Sequence, residues 1–258
     1  MLLAIDVGNT NAVFALHDGE KFIAEWRCSS DYRRTGDEYF VWLKQLMEHR
    51  GITASVTEVI ICSTVPRVVF NLRILSDRYF NCRPIVVRRN EVELGVPVRV
   101  DEHTGIGPDR LANTVAAYDL YGGNVIVVDF GTATNFDVVG HDGAYEGGII
   151  APGVNLSLRA MHEVAAALPH IDVSKPDKII GTDTVGCMQS GIYWGYISLI
   201  EGLCKRIAVE RGHKMKVVGT GGLSTLFAQD CKALEIINTD LTIHGLVLIA
   251  ELNREKNK

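Results

Sequence analysis

The sequence predicts an α/β protein built from two copies of one domain, and three observations carry that reading. Apolar runs of strand length alternate with longer amphipathic segments of helix length. The opening stretch "LLAIDVGNTNAVFAL" has a counterpart, "VIVVDFGTATNFDVV", about 120 residues further on. In both, an apolar run ends in aspartate, passes through an Asp-x-Gly turn and continues into a second strand, a third strand and a helix. A period this long excludes a solenoid, so the chain reads as two domains, 1–121 and 122–258. The length of 258 residues agrees with that division at roughly 150 residues per domain.

In the first half, Leu2 to Val7, Ala12 to Leu16 and Lys21 to Trp26 read as three strands. Their connections, "NTN" and "HDGE", contain hairpin-turn residues. A helix is expected from Thr35 to Arg50, because Asp37 and Glu38 stand in its first turn. "EVIICST" is a strand, Pro66 to Tyr79 a helix, and "PIVV" a short strand ending near Arg88. The stretch from Asn90 to Thr104 has no period and reads as an irregular excursion. A helix follows from Pro108 and stops at Gly122-Gly123.

In the second half, "NVIVVDFGTATNFDVV" gives two strands, and "AYEGGIIAPG" gives a third that leads into a helix from Val154 to Ala166. A loop, "LPHIDVSKPDKIIGTDT", precedes a long helix from Val185 to Arg211. "KVVGTGG" is a strand ending in a glycine turn with a helix behind it. "EIINT" is a last strand and Leu241 to Lys256 a last helix.

Composition narrows the function. The net charge of −5 argues against a nucleic-acid or anionic-membrane surface, since both need surplus Lys and Arg. The pairs Arg33-Arg34 and Arg88-Arg89 read as solvated surface. None of the six cysteines forms a C-x-x-C pair, which argues against a zinc or redox motif. Together they point to a reduced, cytoplasmic protein. No run approaches the roughly 18 uncharged apolar residues of a membrane span.

The two Asp-x-Gly turns hold the chemistry. Glycine at a strand-to-strand bend frees backbone N–H groups to point one way, and such concave sets bind phosphate. Thr10 and Asn11 add donors, and Asp6 sits where a hydrated Mg²⁺ would need a carboxylate. The second turn, from Asp129, could close on the same phosphates. Either aspartate could instead simply cap a tight turn; two related turns in a duplicated chain favour phosphate. The glycine turn "VVGTGGLS" adds weak support through the helix expected behind it.

A phosphoryl acceptor needs a base. "GPDR", Gly107 to Arg110, supplies a carboxylate and a guanidinium at a helix start: Asp109 could take a hydroxyl proton and Arg110 could grip a carboxylate. A helix cap with a surface ion pair explains the same residues. "GTDT", Gly181 to Thr184, is ordinary N-cap composition with room for a second role in ligand binding. His162, His170 and His244 lack metal-ligand spacing, and Trp194 and Tyr196 read as core or interface.

Taken together, D-x-G-N-T, G-x-D-R, D-x-G-T-A-T, G-G-x-I-x-P-G (Gly147 to Gly153) and a late G-x-G-G resemble the type III pantothenate kinases, in order and over nearly the whole chain. The resemblance implies two tandem ribonuclease H-like domains, the duplicated actin-like ATPase fold, with the active site between them. It implies phosphorylation of pantothenate by ATP to 4′-phosphopantothenate, the first step of coenzyme A synthesis. It also implies a homodimer, Mg²⁺ with the ATP, and K⁺ or NH₄⁺ as a monovalent cation.

Carried over by motif, Asp6, Val7, Gly8, Asn9, Thr10, Asn11, Ala12 and Val13 line the ATP phosphates and Thr132 touches ATP. Asp109 is the general base. Gly107, Pro108, Asp109 and Arg110 contact pantothenate, Thr184 approaches it, and Asp129 binds the monovalent cation. The family often places an aromatic residue several positions before G-x-D-R, and "VRVDEHTGIGPDR" has none. Asn135 stands where Thr is frequent, and Pro108 where Ala or Val is usual. Two other readings remain: a kinase of the same superfamily acting on another hydroxyl compound, and a nucleotide-binding accessory protein without turnover.

Overall fold

The computed structural model describes residues 1–164 and 168–255, which divide into two compact units. The first contains residues 1–95, 101–116 and 242–258. Its strands are β1 (Leu2–Val7), β2 (Asn11–His17), β3 (Phe22–Ser29), β4 (Glu58–Ser63) and β5 (Ile85–Val86), in sheet order β3-β2-β1-β4-β5. The β1/β2 and β2/β3 pairs are antiparallel, whereas β1/β4 and β4/β5 are parallel.

Alternation along β1 sends Leu3, Ile5 and Val7 to one face. There they join Phe14 and Leu16 of β2 beneath helices α1 (Gly36–His49) and α2 (Pro66–Tyr79). Ala4 and Asp6 take the other face. The capping box anticipated by "TGDE" fixes the start of α1: Thr35 accepts the Glu38 amide, and Glu38 reaches back to Thr35. Pro66 occupies the first turn of α2, where its missing N–H leaves no bond unmade.

The second unit holds 96–100 and 117–241. It contains β6 (Val125–Phe130), β7 (Ala133–Val139), β8 (Tyr145–Pro152), β9 (Lys216–Thr220) and β10 (Ile236–Ile237), in the order β8-β7-β6-β9-β10. That is the first unit's strand order over again, with the same pattern of antiparallel and parallel pairs. This repeated α/β arrangement is the duplicated ribonuclease H-like fold. Helix α3 (Pro108–Tyr121) is divided between the units.

Ile126, Val128 and Phe136 form the second core with Tyr193, Ile197 and Ile200. The last three come from α5 (Thr184–Arg211), which starts on an Asp183 cap and ends at Gly212 with φ 72°. Leu158 of α4 (Val154–Val164) and Phe227 of the single-turn α6 (Ser224–Phe227) complete it.

Three expectations change or extend. The helix behind "GTGG" is one turn, with no side-chain cap, so it offers no helix-terminal anion site. The final helix, α7 (Leu241–Glu255), packs with the first unit rather than the second. Its Gly245 leaves room for only a hydrogen beside the Ala112 carbonyl, its Thr242 hydroxyl donates to Asn113 Oδ1 at 2.7 Å, and its Arg254 pairs with Glu58. Solvated surface describes Arg33 and Arg88, which pair with Asp31 and Glu91. It does not describe Arg34, which lies over the rings of Tyr39 and Trp42, or Arg89. Nη1 of Arg89 donates to the carbonyls of Asp101, Glu102 and Thr104 at 3.1, 3.4 and 3.2 Å and ties down the end of the irregular excursion. Residues 165–166 of the helix expected to reach Ala166, and Lys256 of the last one, lie outside the described residues.

Candidate active site

In the first unit, β1, the middle strand of the sheet, carries Asp6 near its C-terminal end and ends at Val7. The turn Gly8, Asn9, Thr10 leads into Asn11, Ala12 and Val13 of β2. The Gly8 amide donates to the Asn11 carbonyl at 3.0 Å and closes the bend. Three carbonyls are held from within the unit. The Thr64 amide donates to Val7, the Ser30 hydroxyl to Gly8 at 2.6 Å, and the Ser30 amide to Thr10 at 2.9 Å. The turn is therefore shaped before any ligand arrives, and its exposed residues, Asn9, Thr10 and Asn11, face solvent. A preformed bend of this kind suits an anion.

Asp109 and Arg110 stand in the first turn of α3, directly after Gly107 and Pro108. The structure brings Asp109 close enough to Asp6 for the two carboxyls to interact electrostatically. Burial pushes the Asp6 carboxyl up to about 7, and the Asp109 charge pushes the same way. A hydrogen bond from Cys62 and the positive charge of Arg27 pull it down. Burial also raises the Asp109 carboxyl, against the pull of the Arg110 amide and guanidinium.

The Arg110 amide donates to Asp109 Oδ1 at 2.9 Å and fixes that oxygen. A Cβ on Gly107 would lie 2.3 Å from the same oxygen, so any side chain here would displace that carboxyl. Two interacting carboxyls whose charged forms are both disfavoured make a place that attracts cations, and the raised Asp109 is a stronger base than a solvated aspartate.

In the second unit, the equivalent turn is one residue shorter. Phe130 pairs with Thr134, whereas Val7 pairs with Ala12. The Gly131 amide donates to the Ala133 carbonyl at 3.0 Å, and the Gly153 amide to Thr132 at 3.1 Å. Asp129 stands beside Asn135 on β7 and Thr220 on β9. Its Oδ1 lies over Gly221, where φ is +85° and a Cβ would come within 2.7 Å of that oxygen. Carboxylate, amide and hydroxyl side chains thus stand at paired positions of three neighbouring strands, a set of hard donors.

Asp183 caps α5 by accepting the Gly186 amide at 2.8 Å, so the N-cap reading of "GTDT" holds for Asp183. Thr184 is exposed at the start of that helix and lines a shallow groove with Met161, Leu168 and Met188. Of the two aromatics read as core or interface, Tyr196 is core and Trp194 packs partly buried against that core. His162 and His170 have ring centroids 3.5 Å apart, a pairing that nothing in their spacing announces.

Among the described residues no three His, Cys, Asp or Glu side chains cluster as a metal site. Asp6 is a carboxyl that could serve a cation taking one or two carboxylates from the protein and filling its shell with water and phosphate, as Mg²⁺ does.

The sequence pattern described as type III pantothenate kinase matches residues 2–206. The chain is 61% identical over 255 residues to the type III pantothenate kinase of Ruegeria sp., covering 99% of this chain and 98% of that one. It is 58% identical over 255 residues to the type III pantothenate kinase of Roseobacter denitrificans, covering 99% of each. Its fold superposes on that of a Campylobacter jejuni protein described as a conserved Baf family transcriptional activator, with a TM-score of 0.61. That pair shares 19% identity over 99% of this chain and 100% of the other, a likeness of fold alone. The chain belongs to the type III pantothenate kinase family.

Proposed function

We infer that this protein transfers the terminal phosphoryl group of ATP to the primary hydroxyl of pantothenate, giving ADP and 4′-phosphopantothenate, the first step of coenzyme A synthesis. Family membership supplies the substrates. The observation that carries the chemistry is the Asp6–Asp109 pair, two interacting carboxyls beside a preshaped glycine turn. Residues 6–13 cradle the ATP phosphates, and Thr132 of the second turn contacts the nucleotide. Gly107, Pro108 and Arg110 hold pantothenate, with the Arg110 guanidinium on its carboxylate.

Asp109 removes the proton from the hydroxyl as its oxygen attacks the terminal phosphorus. The bond from that phosphorus to the bridging oxygen breaks, and ADP leaves with the bond's electrons. The burial that raises the Asp109 carboxyl makes it a stronger base than a solvated aspartate. Asp6 would hold Mg²⁺, which when bound would supply charge neutralisation on the phosphates. Asp129, with Asn135 and Thr220 beside it, is the site for K⁺ or NH₄⁺. Oxygen donors without a cluster of acids suit a monovalent ion.

A homodimer in the cytoplasm completes the reading, with Thr184 approaching pantothenate. The exposed Ile179 and Ile180 just before Thr184 are consistent with a covered surface there. The six free cysteines are consistent with a reducing compartment.

ADP release from ATP and Mg²⁺, with and without pantothenate in potassium buffer, tests the reading. Pantothenate-dependent turnover is expected. Measurable ATP binding without pantothenate-dependent turnover would overturn it in favour of another acceptor or a non-catalytic scaffold.

A further inference from the structure

The two hairpin registers of the first sheet put Asp6 opposite Val13 and Val13 opposite Arg27. Residues paired across neighbouring strands project from the same face. Asp6, Val13 and Arg27 therefore form one row, which Cys62 extends on β4. Only the small apolar side chain of Val13 separates the carboxylate from the guanidinium along that row. Two strand spacings, about 10 Å, separate the ends of the row, a span that an extended arginine can largely cross. The Arg27 charge acts on the Asp6 carboxyl.

Arg27 is also oriented. Its Nε and Nη2 both donate to Glu25 Oε1 at 3.0 Å, from the same face of β3 two residues earlier. Its side chain is half exposed, so its guanidinium can meet a ligand from solvent. As a surface ion pair alone, this contact would contribute little to stability.

The chemistry of this face calls for a cation. The terminal phosphate of ATP brings further negative charge to a place already holding two carboxyls. The transferring group also spreads charge over its equatorial oxygens. Arginine meets such oxygens with a planar, bidentate fork.

We propose that Arg27 is a phosphate-binding residue of this kinase, its guanidinium gripping the terminal phosphate of ATP from the row it shares with Asp6. The assignment rests on the kinase reading above and adds a residue to it.

Arg27→Gln, Arg27→Lys and Glu25→Gln in the full chain test the assignment. Arg27→Gln should lower kcat/KM for ATP by about 10²-fold or more. It should weaken Mg-ATP binding about tenfold while leaving Mg-ADP binding within twofold, because ADP lacks the group that is gripped. Arg27→Lys should recover part of the loss, Glu25→Gln should lose less than Arg27→Gln, and all three should melt with the wild type.

An Arg27→Gln enzyme within threefold of wild type, or equal losses of ATP and ADP affinity, would overturn the assignment. Equal losses in Arg27→Gln and Glu25→Gln would do the same, reducing Arg27 to half of an ion pair. If the wild type binds ATP but does not phosphorylate pantothenate, the kinase reading fails by itself, and the ATP-against-ADP contrast still decides the role of Arg27.

Discussion

Replacing Asp6 with Asn keeps the shape of the site and removes one of its two interacting carboxyls. An unfolded aspartate titrates near 3.9, whereas burial and Asp109 hold the folded Asp6 at about 7. Between those values the folded protein keeps a proton that the unfolded chain has released, so stability must fall as pH rises through that window. The stabilising proton is fully in place below about pH 4 and lost above about pH 7. A rise of about three in pKa, at 1.36 kcal/mol each, corresponds to about 4 kcal/mol at most. Asp6 is partly exposed, and solvent screening reduces this to about 2–4 kcal/mol. Asparagine does not titrate, so the variant escapes the loss. In EDTA without nucleotide, Asp6→Asn should lie within about 1 kcal/mol of the wild type near pH 4.5. At pH 8 it should melt about 5–10 °C higher, at about 2–4 °C per kcal/mol for a chain of this length. Adding Asp109→Asn to the wild type should shrink the gap, because it removes one of the two causes. A melting difference that does not change between pH 4.5 and pH 8 would refute the reasoning.

Asp109→Asn should lower kcat by about 10²-fold or more while ATP binding, followed by calorimetry, survives; near-wild-type turnover would remove Asp109 as the base. In the wild type, kcat should fall on the acid side at a pH above the ordinary carboxylate range, since the base must be ionised and burial raises it. Gly107→Ala would press a methyl group into the space 2.3 Å from Asp109 Oδ1, so turnover should drop about tenfold or more with far-UV circular dichroism unchanged. Asp183→Ala leaves the Gly186 amide without its acceptor and should cost about 1 kcal/mol in urea unfolding. Full activity in buffer without potassium or ammonium would contradict the cation role of Asp129.

Local pattern was enough wherever local chemistry decides the structure. β1 runs from Leu2 to Val7 and α2 from Pro66 to Tyr79, as expected, because an apolar run and a proline start are self-contained signals. The repeated Asp-x-Gly turns implied the duplicated sheet, since one sequence pattern dictates one strand order. The partners of α7 were hidden because the contact of Gly245 with Ala112 joins residues more than a hundred positions apart. The length of α6 was hidden because Leu223 offers no side-chain cap and "GTGG" does not say how far a helix continues. Arg89 looked solvated because backbone carbonyls, its partners, have no letter in a sequence. Asp6 and Asp109 were each visible by motif, but not their mutual pressure, which depends on α3 bringing its first turn to the end of β1.

The duplicated turns have diverged in what surrounds their aspartates, and the proposed pair of cations, Mg²⁺ at the first and a monovalent ion at the second, would exploit that divergence. Asp6 has Val13 on one side and Cys62 on the other, neighbours that solvate a carboxylate poorly. Asp129, at the matching place in β6, has Asn135 and Thr220, which carry oxygens. A poorly solvated carboxyl pressed by a second acid gains most from a doubly charged ion that arrives with its own water and phosphate ligands. A carboxylate with amide and hydroxyl side chains at the positions paired with it can hold a single charge without such help. Exchanging the neighbours should exchange the preferences. Val13→Asn would add an amide N–H donor beside Asp6, favouring its charged form and lowering its titration. Thr220→Val would remove one beside Asp129 and weaken monovalent-cation activation while leaving nucleotide affinity within a few-fold. Activation by potassium that is unchanged in Thr220→Val would show that the cation is held by other oxygens.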